Sequence, residues 1–296
     1  MPFDGVARTA WLTARLRAEE SARPAPLSVD PFAARLIADP DAPNHILEEP
    51  ASPSPYVTTL PEWLALQAKD PHAATRAARA AMLAVRSRYF DDRVIEAVSR
   101  GVRTVVLVAA GLDTRVYRLP LPPGLCWIEV DRKETLAYKR RVLGSTPPHA
   151  EILDVGGDLR DPGVLREVTQ ALRGPSLWAI EGLMVYLDAS EVERLLDTVA
   201  EHLDAGSAVL FDVPSRASLD PSGRMAATLA RHMAHGSPWK FGTDDPAALV
   251  ESRGLTADVI HVGHPRAHYG RIPWPPVEVL PPGQPTNFLV MGTRRA

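Results

Sequence analysis

Apolar residues change their period near residue 101. Before it, residues 7 to 20 set Ala10, Leu12, Ala14 and Leu16 among charged neighbours, a pattern that can form a first helix. Prolines and acids between 24 and 62 then break the pattern and leave room only for short helices. From His72 to Tyr89 the chain is alanine-rich and free of proline, which favours helix. Tyr89, Phe90, Val94, Ile95 and Val98 predict another short helix ending near Gly101. The first hundred residues are therefore expected to be mostly helical.

After Gly101, short apolar runs alternate with helical ones. TVVLVA (104 to 109) reads as a fully buried central strand, being apolar throughout and rich in β-branched residues. CWIEVD (126 to 131), EILDV (151 to 155), SLWAIE (176 to 181) and SAVLFDV (207 to 213) read as four more. ETLAYKRRVL (134 to 143) and SEVERLLDTVAEHL (190 to 203) predict intervening helices, and the alternation implies a parallel sheet covered on both faces. Helix candidates at 224 to 235 and 245 to 253 follow. TADVIHV (256 to 262) and TNFLVMG (286 to 292) are joined by a proline-rich loop without a helix pattern, so they are expected to pair antiparallel. No internal repeat is found.

Composition narrows the function. At 296 residues with 45% apolar content, the chain can bury a core without a metal or disulfide. Its formal charge of −3 and the lack of a basic stripe argue against a nucleic-acid partner. The single cysteine, Cys126, excludes an internal disulfide and a cysteine-based zinc cluster, and no metal is expected. Arg8, Arg15 and Arg17 interrupt the first apolar segment, which is therefore not expected to act as a signal peptide. No run is long enough to span a bilayer, so a cytoplasmic location without a membrane partner is expected. Most of the 29 prolines punctuate loops.

In a parallel sheet the ligand site lies beyond the carboxyl ends of the strands. Five successive strand ends carry acids: Asp113 after the first, then Asp131, Asp158, Glu181 and Asp212. Asp131, last in its strand, is the choice for a ribose diol, and Glu129 shares its face. Gly111 would let the backbone turn tightly under a ligand. Neither G-x-G-x-x-G nor a phosphate-binding G-x-x-x-x-G-K-[ST] loop occurs, which disfavours dinucleotides and nucleoside triphosphates. A nucleoside without phosphates fits better, and S-adenosyl-L-methionine, cationic at sulfur, fits the acids. Arg86 or Arg88 could pair with its carboxylate.

Arg88-Tyr89-Phe90-Asp91-Asp92, VVLVAAGLDTRVYRL (105 to 119), IEVD (128 to 131), DLRD (158 to 161) and EGLMVYL (181 to 187) together resemble the leucine carboxyl methyltransferase family. The resemblance is closest to its bacterial branch, which includes tetracenomycin-type polyketide carboxyl O-methyltransferases, and covers almost the whole chain. It implies an α/β fold: a class I S-adenosylmethionine-dependent methyltransferase sheet of seven strands, the last antiparallel, with helical N-terminal and lid additions. Residues 1–100 would form the helical cap and 101–296 the Rossmann-like core, with a lid insertion at about 214–243. By position, Arg86 or Arg88, Gly111, Asp131, Asp158, Leu159 and Glu181 would hold the cofactor, joined by Asp113 at the same rim. Family members usually show G-A-G where this chain has Ala109-Ala110-Gly111, so a methyl group is added where backbone approaches the cofactor.

The activity this implies is methyl-ester formation on a small-molecule or peptide carboxylate in secondary metabolism, leaving S-adenosyl-L-homocysteine. A carboxylate is already ionised at neutral pH, so no general base is required. Arg160 and Tyr186 are the candidates for orienting the acceptor, and no catalytic triad is expected. Phenol or alcohol O-methylation in natural-product biosynthesis, which needs a base, is one alternative. A cofactor-binding protein without catalysis is the other. His268-Tyr269-Gly270-Arg271 is a candidate wall of the acceptor pocket, with Trp11, Trp63, Met225, Met233, Trp239 and Phe241 as candidate apolar lining.

Overall fold

The computed structural model describes residues 5–42 and 52–295. Four helices come first: α1 (Gly5–Ser21), α2 (Ala33–Ala38), α3 (Leu60–Lys69) and α4 (Pro71–Ser99). Strands and helices then alternate through β1 (Thr104–Val108), α5 (Arg115–Arg118), β2 (Cys126–Asp131), α6 (Lys133–Leu143) and β3 (Glu151–Gly156). The series continues with α7 (Pro162–Gln170), β4 (Ser176–Ile180), α8 (Ala189–Glu201) and β5 (Ala208–Pro214). Next come α9 (Ala226–Ala234), α10 (Ala248–Glu251), β6 (Thr256–His261) and β7 (Asn287–Thr293).

The seven strands lie in the order β3-β2-β1-β4-β5-β7-β6. β7 runs antiparallel to both its neighbours and every other pair is parallel, which is the sheet the sequence led us to expect. Residues on the inner strands alternate between two cores. On one face Val105, Leu107, Trp127 and Leu177 pack with Trp11 of α1, Leu36 of α2 and Phe90 of α4. On the other, Val106, Ile128, Trp178 and Phe211 pack with Val168 of α7, Leu195 of α8 and Val250 of α10. Covering both faces explains why these strands are apolar at consecutive positions. The N-terminal helices and the sheet thus share a continuous core across residue 100.

The two helices expected on either side of Tyr89 are one helix of 29 residues. No glycine or proline interrupts it after Pro71, Asp70 caps its start by accepting the Ala73 amide at 2.9 Å, and Gly101 at φ 101° lies just beyond its end. α7 went unforeseen, although Asp161 caps it through the Gly163 amide at 2.8 Å and Pro162 fills its first turn. The helix expected over 245 to 253 contracts to α10. Strand order reverses between β1 and β4, and a crevice opens there beyond the strand ends.

Candidate active site

The crevice is a cavity of about 1700 Å³. A single small ligand usually occupies roughly 300–1,000 Å³, so this space can take two molecules side by side. One end is built by the carboxyl ends of β1, β2, β4 and β5. The other is walled by α3, the first half of α4, α9 and the loop 274–286.

At the strand end, Asp131 accepts the Gly111 amide on Oδ2 and the Arg132 amide on Oδ1, both at 2.7 Å. Each oxygen keeps a further lone pair, and Asp131 borders the cavity, so the carboxylate can still accept from a diol. The turn above it uses left-handed backbone at Ala109 (φ 58°) and Gly111 (φ 50°). A Cβ on Gly111 would also lie 3.2 Å from Ala10 Cβ. Glu129, two residues back along β2, does not reach this rim. It is fully buried against Lys139 Nζ at 2.6 Å and Arg140 Nη2 at 2.7 Å.

A buried ionic network forms the floor. Arg86 donates from Nε to Glu181 at 2.9 Å and from Nη1 to Asp212 at 3.1 Å. Arg115 reaches Asp91 at 2.6 Å, Asp113 at 2.5 Å and Glu181 at 2.8 Å, while Arg118 holds both oxygens of Asp91. Asp212 also accepts the Gly182 amide at 2.6 Å and Asn287 Nδ2 at 2.8 Å. Burial pushes the Glu181 carboxyl up, but Arg115 and Arg86 outweigh it and hold its pKa at about 2. The linked carboxylates Asp91, Asp113, Glu181 and Asp212 outnumber the guanidiniums Arg86, Arg115 and Arg118 by one. That excess suits a ligand of net positive charge, and no phosphate-cradling loop competes with this reading.

Arg86, Gly111, Asp113, Asp131, Asp158, Leu159, Glu181, Arg160 and Tyr186 all border the cavity. Arg88 does not. Two positions from Arg86 on one helix, it points the opposite way, pairing with Asp92 at 2.8 Å and lying over the Tyr269 ring at 5.5 Å. Asp158 is exposed and its pKa is lowered to about 2, chiefly because Arg160 donates to it from Nε and Nη2. Arg160 is therefore turned onto its own loop. Its spacing of two from Asp158 favours this local fork over one reaching across to an acceptor.

His268–Arg271 does not border the cavity. Tyr269 donates to Asp92 at 2.9 Å and Arg271 is buried against Glu20 at 2.8 Å, so these residues anchor the loop to the N-terminal helices. The neighbouring Trp274 and Pro275 line the space instead. Trp63, Met225 and Trp239 line it too, whereas Trp11 is core, Met233 is exposed and Phe241 packs against the second core.

Among the cavity residues that the sequence did not single out, three stand out. Thr135 is buried with no hydrogen-bond partner for its hydroxyl. Arg79 lies two turns before Arg86, about 10 Å along α4. His232, on α9, is buried between Tyr186 and Trp239, with ring centroids 6.3 Å and 5.3 Å away. Burial lowers its pKa to about 4, helped by Arg231, Arg79 and His235. Burial also raises the Tyr186 phenol. Nothing in the residue pattern around Arg79 or His232 announces a site, because their role depends on which helix faces meet.

Comparison with known proteins shows what the chain is similar to. Residues 10–200 match the family model for leucine carboxyl methyltransferase. A Parafrankia protein assigned by name to the S-adenosyl-L-methionine-dependent methyltransferases is 38% identical over 212 residues, covering 70% of this chain and 63% of that one. The chain thus spans slightly less than two thirds of that relative. A Frankia alni protein with the same assignment is 31% identical over 301 residues, covering 99% of this chain and 96% of its own. The crystal structure of a DUF574 family protein from Streptomyces avermitilis superposes with a TM-score of 0.57 at 14% identity, covering 88% and 94% of the two chains. That likeness concerns the fold alone.

Proposed function

Because the chain belongs to the leucine carboxyl methyltransferase family, we propose that it moves a methyl group from S-adenosyl-L-methionine to a carboxylate oxygen of a small-molecule or peptide acceptor. The observation that carries this reading is the placement of charged residues around the cavity. Asp113, Asp131, Asp158, Glu181 and Asp212 gather at the strand ends, where a cationic nucleoside would bind, and Arg79 of α4 and Arg224, next to α9, border the helical walls, where an anionic acceptor would enter.

The cofactor supplies an electrophilic methyl group on a sulfonium. Asp131 would hold the ribose hydroxyls, and Leu159 with Asp158 would frame the base. Glu181, fixed by Arg86 and Arg115, would face the amino-acid ammonium. The remaining task is alignment. An ionised carboxylate needs no proton removed, so Tyr186 and the apolar walls have only to orient one oxygen and exclude water. The apolar walls Leu60, Trp63, Met82 and Leu83 suit an acceptor with a sizeable apolar body. Incubating the protein with S-adenosyl-L-methionine and a graded panel of aryl and alkyl carboxylic acids tests this, with methyl esters as the expected products. Tight cofactor binding without any ester or other methylated product would favour a binding protein instead.

A further inference from the structure

We propose that the same site also methylates phenolic hydroxyls, with His232 Nε2 as the proton acceptor. This rests on the methyl-donor reading above and extends its acceptor class. Carboxylate methylation leaves His232 without a task, yet the ring is buried, borders the cavity and is held from two sides.

We assign the Nδ1–H tautomer to it, an arrangement its hydrogen bonds accommodate. Ser237 Oγ donates to the His232 carbonyl at 3.2 Å and lies 3.1 Å from Nδ1. In this arrangement the hydroxyl proton goes to the carbonyl, and Nδ1 carries its own proton and donates it to Oγ. The lone pair is then on Nε2, on the ring edge away from Ser237. The groups facing the imidazole are Arg231 of its own helix, His235 just past the end of that helix, Arg79 of α4, Tyr186 of the turn after β4, and Trp239. Burial, helped by the cations among them, keeps the ring neutral near pH 7, and the aromatic and apolar walls accept a flat ring.

The step balances simply. The phenol oxygen bonds to the methyl carbon as the carbon–sulfur bond breaks, the electron pair stays on sulfur, and the phenol proton passes to Nε2. Neutral imidazole here is too weak a base to ionise a phenol beforehand, so proton and methyl transfer must proceed together.

Matched phenols and carboxylic acids on the same ring, starting with 2-naphthol and 2-naphthoic acid, give the activity test. Methyl ethers are expected, with His232→Gln lowering ether formation about 100-fold more than ester formation. Nitrogen NMR of ¹⁵N-histidine-labelled protein without ligand supplies an independent readout. It should show the Nδ1–H tautomer, neutral down to about pH 5, and Ser237→Ala should mix the tautomers. No ether from any phenol, equal losses of ether and ester, or a proton on Nε2 would each overturn the proposal. Esters without ethers would leave the carboxylate reading standing, and ethers without esters would remove that reading alone.

Discussion

Asp131 Oδ2 accepts the Gly111 amide at 2.7 Å, which ties the tip of β2 to the turn leaving β1. The acid that would hold the ribose is thereby fixed by the backbone that would pass beneath the cofactor. Asp131→Ala should lose charge-assisted hydrogen bonds worth about 1.5–3 kcal/mol, a tenfold to 150-fold loss in affinity for S-adenosyl-L-homocysteine. Asp131→Asn should also bind less tightly, because its amide group would face a backbone N–H. Calorimetry on the folded variants measures both, and unchanged affinity would remove Asp131 from the site.

Ala109 holds φ 58°, a conformation that suits glycine. The left-handed region costs a residue with a Cβ about 1–2 kcal/mol, partly offset by the extra freedom glycine has in the unfolded chain. Ala109→Gly should therefore stabilise the protein by up to about 1 kcal/mol, seen as a higher urea midpoint. A lower midpoint would mean that the alanine methyl group makes packing contacts worth more than the strain.

Arg115 is buried among Asp91, Asp113 and Glu181. Arg115→Met keeps much of the volume but leaves those carboxylates without their shared cation, so it should cost about 3–5 kcal/mol in urea unfolding. A loss below 1 kcal/mol would show that Arg86 and Arg118 compensate.

Glu181 has its pKa lowered from 4.5 to about 2, so its ion pairs stabilise the fold above pH 4.5 and are lost as the pH falls towards about 2. Urea midpoints of the wild type should therefore fall across that window. Glu181→Gln should show a shallower fall over the same range, starting from a less stable protein. Parallel curves would place the acid sensitivity elsewhere.

Arg160 donates to Asp158 through Nε and Nη2, so it acts on the loop that frames the cofactor base. Arg160→Ala should weaken cofactor binding a few-fold and leave the rate at saturating cofactor little changed. A selective loss of turnover would return Arg160 to the acceptor role that its sequence position suggested.

The strands were legible because both faces are covered: a run such as Val105 to Val108 has no helical alternative of that length and composition. The acidic rim was legible for a related reason, since strand ends in a parallel sheet converge on one edge. Long-range pairing was not. Arg86 and Arg88 look equivalent in the sequence, and only the rotation of α4 separates the cavity face from the Asp92 face. His232 became a site residue only when α9 met Tyr186 and Trp239. His268–Arg271 reads as a binding loop, yet its polar groups are spent on Asp92 and Glu20, far back in the chain.

The reaction class is decided by the identity of the atom that receives the methyl group. Methyl-labelled S-adenosyl-L-methionine, incubated with the protein and the carboxylic acid panel, followed by mild alkaline hydrolysis of the products, tests it most directly. Esters release their label as volatile methanol, whereas ethers and N-methyl groups retain it. Methanol release that depends on both the protein and an added acid is expected. Label found solely in base-stable products would contradict it.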